Sequence, residues 1–244
     1  MPRILTYNVH RCVGTDGRLD VARVARVIAQ CRPDIVALQE LDVGRARTGG
    51  VDQAHAIAEL LGMSFHFHAA LKVEEERYGD AILSAASIKV VKAGPLPGSH
   101  AVRGLEPRGA LWVKIRIGGA ELDVVNTHFG LVPHEQRAQA AALLGHDWMG
   151  HVECTDPAIL LGDLNATPRH AAYRRIAGRL RDAQKQLRRR QATFPARLPM
   201  LRIDHVFVSR SITVTGVHAP AGLLARTASD HLPLVVDFRI DQRH

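Results

Sequence analysis

Apolar residues follow two alternating rhythms along this chain. Short unbroken runs, of the kind a buried strand uses, are separated by stretches whose apolar positions recur every three or four residues, as on a helix face. RILTYN at 3–8 and DIVALQE at 34–40 read as strands. Between them Val21, Val24, Ala25 and Ile28 share one helical face, Asp20 stands where an N-cap belongs, and Pro33 stops the helix. Further strands are expected at SFHFHAAL, DAILS, IKVVKAG, ALWVKIRI, LDVVNTH, AILLGDL, LRIDHVFVS, ITVTGVHA and HLPLVVDFRI. Helices are expected near residues 51–61 and 134–145, and from about Pro168, with Thr167 as its N-cap. Strands outnumber helices and many are hairpin neighbours, which predicts an α/β fold of the α+β type with mixed sheets. No low-complexity linker interrupts residues 1–244, so one domain is expected.

Several of these strands carry a polar residue where the apolar run begins or ends: Asn8, Glu40, His128, Asp163 with Asn165, Asp204, and Asp230 with His231. Each alone is what a turn uses. As an ensemble they are different, because strand ends along one edge of packed sheets can converge on a single pocket. If the strand at AILLGDLNATP extends through Asn165, Asp163 and Asn165 share one side of it. Carboxylates suited to a hard divalent cation, a carboxylate to orient water, and His or Asn to meet oxygen charge form an inventory that fits phosphate-ester hydrolysis.

Composition narrows the class further. With 46% hydrophobic and 23% charged residues over 244 positions, the chain is ordinary globular material, large enough to bury a core. No apolar run approaches the roughly 18 to 20 residues of a membrane span. The opening MPRILTYNVH lacks the apolar stretch and cleavage site of a secretory signal, so the cytoplasm is the expected location. Cys12, Cys31 and Cys154 are scattered and read as reduced thiols. Of the formal net charge of +8, +7 lies in RRIAGRLRDAQKQLRRR at 174–190. Two readings of that segment stand side by side: a solvated helix with Leu180 and Leu187 on one apolar face, or a patch holding the phosphates of a nucleic acid.

The motifs TYN, QE, YGDAILS, NTH, GDLN, RIDH and SDHLP, in that order over almost the whole chain, resemble those of the endonuclease/exonuclease/phosphatase superfamily, which includes deoxyribonuclease I. The resemblance implies a four-layer sandwich, two mixed β-sheets packed face to face and flanked by helices, with a metal-dependent hydrolase site at one edge. It implies that Glu40 binds Mg²⁺ or Mn²⁺, with Asp230 as a second acidic contributor and Asn8 as an amide positioning metal or phosphate. Asp163 would orient or deprotonate the attacking water, Asn165 would hydrogen-bond the developing oxyanion, and His231 would donate to phosphate while Asp204 holds its imidazole. His128 matches a histidine of the deoxyribonuclease-like branches, and Glu76 the carboxylate paired with it there, a pair able to protonate the leaving oxygen.

The chain also departs from its relatives. His10 stands where abasic-site enzymes carry an aspartate. His66 and His68 read as core or rim residues; Arg45, Arg47 and Gln53 belong to a loop that either lines the pocket or, the favoured reading, is simply solvated, and Arg108 is open to the same two readings. The sequence therefore points to a Mg²⁺/Mn²⁺ phosphodiesterase, first as a nuclease and second as a lipid or small-molecule phosphoesterase. An inactive polyanion-binding module would have lost residues that are all present here.

Overall fold

The computed structural model describes residues 1–98, 105–188 and 190–241. Its first half runs β1 (Arg3–Asn8), α1 (Val21–Cys31), β2 (Ile35–Val43), α2 (Gln53–Leu61), β3 (Ser64–Val73), β4 (Glu76–Ser84), β5 (Ile88–Pro95), β6 (Gly109–Ile117) and β7 (Ala120–His128). Then come α3 (Pro133–Leu143), β8 (Ala158–Asp163), α4 (Ala171–Ala177), β9 (Arg181–Asp182), α5 (Ala183–Gln186), β10 (Asp204–Val208), β11 (Ile212–His218), α6 (Leu223–Ala228) and β12 (Leu234–Ile240). The strands form two six-stranded sheets, β11-β12-β1-β2-β4-β3 and β5-β6-β7-β8-β10-β9. Each sheet has one parallel pair near its middle, β1 with β2 and β7 with β8, among antiparallel neighbours.

Three apolar clusters separate four layers. Ile4, Ile35 and Ala37 of the first sheet meet Val113, Val124, Ile159 and Val206 of the second between the sheets. Leu5, Val36 and Leu38 face outward against Val24 and Ile28 of α1 and Ile57 of α2. On the far side Trp112, Val125 and Leu160 pack against Leu143 of α3 and Tyr173 of α4. Alternate residues of β1, β2 and β8 thus enter different cores, and because both are apolar these strands read as continuous apolar runs rather than as an alternation. The expected sandwich is what the structure contains. No helix among the described residues is long and apolar enough to cross a membrane.

Two expectations fail in the stretch after β8. The helix begins at Ala171, with His170 as its cap, not at Pro168; Thr167 instead holds the His170 ring through its N–H, 3.0 Å from Nδ1. The basic segment is not one helix but α4, a turn, the edge strand β9 and α5. Its two leucines go to different layers, Leu180 beneath α4 and Leu187 between the sheets. Arg189 lies outside the described residues.

Gly162 shows why the GDLN motif opens with glycine. Its φ is +137°, and a Cβ there would lie 1.8 Å from the Thr127 carbonyl oxygen across the β7–β8 ladder. Gly162→Ala should therefore force apart the two central strands of the second sheet, with a loss well beyond the about 1 kcal/mol of an ordinary glycine effect. Urea unfolding checks this; a midpoint unchanged from the parent would contradict it.

Candidate active site

Strand register lines up the first row of the site. His128 ends β7 opposite Asp163, which ends β8, and Asp163 is in turn opposite Asp204, the first residue of β10. Three neighbouring strands of one sheet, about 4.8 Å apart, thus bring an imidazole and two carboxylates side by side at the same edge. Asn165 continues past the strand end. Its own N–H donates to Asp163 Oδ1 at 2.8 Å and its φ is 47°, so an Asx turn, rather than strand alternation, carries its amide to the pocket.

The other sheet supplies the facing wall. At Glu40 the β2–β4 register slips and the residue takes φ 60°, a left-handed bulge that re-aims its carboxylate. Asn8 Nδ2 donates to Glu40 Oε1 at 2.9 Å and to Asp163 Oδ2 at 3.0 Å, while its Oδ1 accepts from the His10 N–H at 3.1 Å. With its nitrogen toward the carboxylates and its oxygen toward the His10 N–H, Asn8 orients the acidic groups around the pocket. Gln39, beside Glu40, donates to Asn126 Oδ1 at 2.7 Å, and Asn126 donates on to the Leu38 and Ala81 carbonyls. This wholly buried link ties the sheets together below the pocket.

His231 comes from the loop before β12. Asp204 Oδ2 lies 2.9 Å from its Nδ1 and also accepts from Thr193 Oγ1, which fixes the ring's outer nitrogen 3.7 Å from Asp163. Burial works against a charge on His231, but Asp204 and Asp163 outweigh it and raise the imidazole to about 10. Asp163 is fully buried. Burial and the adjacent Asp204 charge raise it to about 7, opposed by His231, the Asn165 N–H and Asn8. A cationic imidazole and a carboxyl balanced near neutrality therefore share one wall.

His128 meets a partner other than the one expected. Since a guanidinium only donates, His128 Nδ1 accepts from Arg108 Nη1 at 2.9 Å, and Asn165 Nδ2 lies 3.2 Å from the ring's Nε2. That nitrogen is 3.6 Å from Asp163 and 3.9 Å from Glu40. Burial, then the Arg108 and His231 charges, hold His128 well below the usual histidine range, so the ring is neutral. Glu76 instead accepts from Arg45 Nε at 3.2 Å and from the Ala46 N–H at 2.8 Å, bracing the 45–48 loop. The expected His128–Glu76 pair is not formed, because the buried guanidinium occupies the nitrogen that Glu76 would need.

The open pocket has a volume of about 340 Å³, with Glu40, His128, Asp163, Asn165, Asp230 and His231 on its walls. Asn8 and Asp204 stand behind these, 1% and 0% exposed. For a cation the donor chemistry fits: Glu40 and Asp230 present partly exposed carboxylates, and Asp163 and Asp204 offer further oxygens within 4.8 Å of each other. Since Asp204 and His231 already engage each other, the oxygen donors at Glu40 and Asp230 are the freer ones.

Comparison with known proteins agrees with this geometry. The profile of the Endonuclease/Exonuclease/phosphatase family matches residues 5–231. The chain belongs to that family. It is 26% identical over 254 residues to the uncharacterized protein YbhP of Escherichia coli strain K12, covering 98% of this chain and 96% of that one. Among solved structures, an endonuclease/exonuclease/phosphatase from Beutenbergia cavernae superposes with a TM-score of 0.77 at 25% identity, over 98% of this chain and 72% of that one. The Bacteroides thetaiotaomicron mannosyl-6-phosphatase Bt3783 superposes with a TM-score of 0.74 at 21% identity, over 98% and 99%. Family members hydrolyse phosphoester bonds and are generally dependent on divalent metal.

Around the pocket, residues that the sequence left between pocket and solvated loop take definite places, and Asp80 joins them. Arg108 is the clearest; Gln53, assigned to a solvated loop, is fully buried and bonds Asp42 N and Arg11 O. Arg47 lines the pocket, clamps the buried Asp42 with two 2.7 Å bonds and lies over the Tyr78 ring. Asp80 lay unremarked inside YGDAILS; burial raises it to about 8, against the pull of Arg108. The only available signal was their presence within or beside the quoted motifs.

The titration of His231 checks the arrangement. Its raised value means the charged form persists through neutrality and is lost as pH rises toward about 10. In metal-free protein, imidazole NMR shifts should follow that course. Asp204→Asn removes the charge that raises both groups, so His231 should lose its proton at lower pH, and Asp163 should ionise at lower pH too. An unmoved His231 titration in Asp204→Asn would contradict the pairing.

Proposed function

We propose that this family member is a Mg²⁺- or Mn²⁺-dependent phosphodiesterase, with nucleic acid as its preferred substrate class. The observation that carries the reading is the Asp163–His231–Asp204 wall facing Glu40 across the Asn8 amide. Asp163, raised toward neutrality, takes the proton of a water as its oxygen attacks phosphorus in line with the departing oxygen. The cationic His231 meets a non-bridging oxygen, and the Asn165 amide hydrogen-bonds the charge that grows on the phosphoryl group. His128, held neutral by burial and the Arg108 charge, positions the Asn165 amide at the pocket rather than supplying a general acid's proton; the leaving oxygen takes its proton from solvent. Glu40, with Asp230, would hold the divalent cation, which when bound supplies Lewis-acid neutralisation of phosphate charge. The expected cytoplasmic location belongs to the same reading.

Nucleic acid is placed ahead of a small or lipid phosphoester on the basicity of the 174–190 segment. Part of that charge is already engaged within the fold. Arg179 donates to the Leu144 carbonyl and Arg181 to the Ser209, Arg210 and Ile212 carbonyls, so both are structural.

Hydrolysis of a chromogenic phosphodiester should be abolished by chelator and restored by Mg²⁺ or Mn²⁺; full turnover in excess chelator would refute the metal role. Asp163→Ala and His231→Ala should each lower kcat by at least about 10²-fold, with kcat/KM falling in parallel. Near-parental rates in both would mean the reaction centre lies elsewhere. Arg108→Gln should lower kcat less than Asp163→Ala, since it orients His128 without touching the attacking water. Equal losses in the two variants would restore His128 to a proton-transfer role.

A further inference from the structure

A second cavity of about 1010 Å³ shares no lining residue with the reaction centre but is built from chain that directly adjoins its residues. It opens where the same two strands end: Thr167 and Pro168, just past Asn165, form one margin, and Arg202, two residues before Asp204, forms another. Five cations line it, Arg169, Lys185, Arg188, Arg190 and Arg202, and no acidic residue does. Two of the five are engaged: Arg202 donates to the buried Asp182 at 2.8 Å, and the Lys185 ammonium lies 5.3 Å from the Tyr173 ring centroid. Arg169, Arg188 and Arg190 are exposed, and their guanidiniums have no partner among the described residues.

A second observation points to a ligand in the same place. Gln184 is 1% exposed; its Oε1 accepts from the Gln191 N–H at 2.7 Å, which fixes the amide, and its Nε2 has no partner. The Nε of Arg202 is likewise buried and unpartnered. Two buried donors without acceptors, beside three unpaired guanidiniums, form a surface that lacks only an anion with several oxygens. Met200 and Leu201, 68% and 43% exposed, supply an apolar flank against which the uncharged part of a ligand can lie.

We propose that this groove is a second anion site, holding a phosphate group of the substrate other than the one being cleaved. The inference rests on the phosphodiesterase reading of the neighbouring pocket and makes it more specific: the preferred substrate carries at least two phosphates, one per site. The basic segment contributes through Lys185, Arg188 and Arg190, while Arg174 and Arg175 on α4 lie outside the groove.

The test compares two variants with the same change in net charge. Arg188→Gln/Arg190→Gln removes two groove cations; Arg174→Gln/Arg175→Gln removes two exposed cations of the same sequence segment that do not line it. Binding of a fluorescent octathymidylate is titrated against salt in excess chelator, and thermal melts verify that both variants are folded. The groove variant should bind more weakly and flatten the log Kd against log salt slope by about 1.4, at about 0.7 per lost single-strand phosphate contact, while the α4 variant keeps the parental slope. A tripolyphosphate arm separates the sources of the phosphate: binding of tripolyphosphate but not octathymidylate, lost in the groove variant, assigns the site to a compact polyphosphorylated ester. Equal losses in both variants would reduce the groove to general basicity, and no loss in either arm would overturn the proposal. Because binding is read without turnover, its failure leaves the hydrolytic reading intact, and absent hydrolysis with intact groove binding would overturn only that reading.

Discussion

One carboxamide nitrogen spans the gap on which the catalytic edge depends. Asn8 belongs to the first sheet, and through Nδ2 it holds Glu40 of that sheet and Asp163 of the other within one hydrogen-bond length. Two carboxylates brought so close repel each other, and only a donor shared between them, or a cation, makes the approach favourable. The Gln39–Asn126 bond repeats the device one step deeper, in a wholly buried setting where an unpaired amide would be costly. The sheets are therefore clasped at the edge where they must cooperate, with the apolar cluster packed between them behind it. Site geometry and sheet packing are here one problem.

That clasp also explains the division of labour among the charged groups. The second sheet, through its register, supplies Asp163, Asp204 and His128, while the first supplies Glu40 through a left-handed bulge and His231 from the loop before β12. A regular strand would carry the carboxylate to its alternate face; the bulge is what aims it at the pocket. Asp204 then serves two residues at once, holding the His231 ring and keeping Asp163 protonatable near neutral pH.

Much of this was legible in the sequence because it is local. Strands β1, β2 and β8 are apolar on both faces, and a polar residue at the end of such a run is conspicuous, so Asn8, Glu40, His128, Asp163 and Asp204 could all be named. Partner choice was not legible. Glu76 and His128 are each recognisable, but whether they meet depends on Arg45 and Arg108, which arrive from two different loops. The basic segment misled for the same reason: its spacing suits one helix, yet Gly178 closes α4, and Leu180 and Leu187 find separate cores. Gln39 and Asn126 stood inside quoted motifs, but their purpose appears only when the two sheets face each other.

The position of β1 bears on how the molecule is made. It is central in its sheet, parallel to β2 on one side and antiparallel to β12 on the other, with Arg3 bonded to Asp237 across a sequence separation of 234. During synthesis β1 leaves the ribosome well before β12, and one of its edges waits for that strand. At roughly 5 to 20 residues per second, that edge and the apolar faces of Ile4 and Leu5 go uncovered for many seconds. Such long-range pairing is slow and leaves a strand edge open to other chains. The antiparallel edge of β1 is therefore closed only when β12 has been made, which ties completion of the first sheet to that strand.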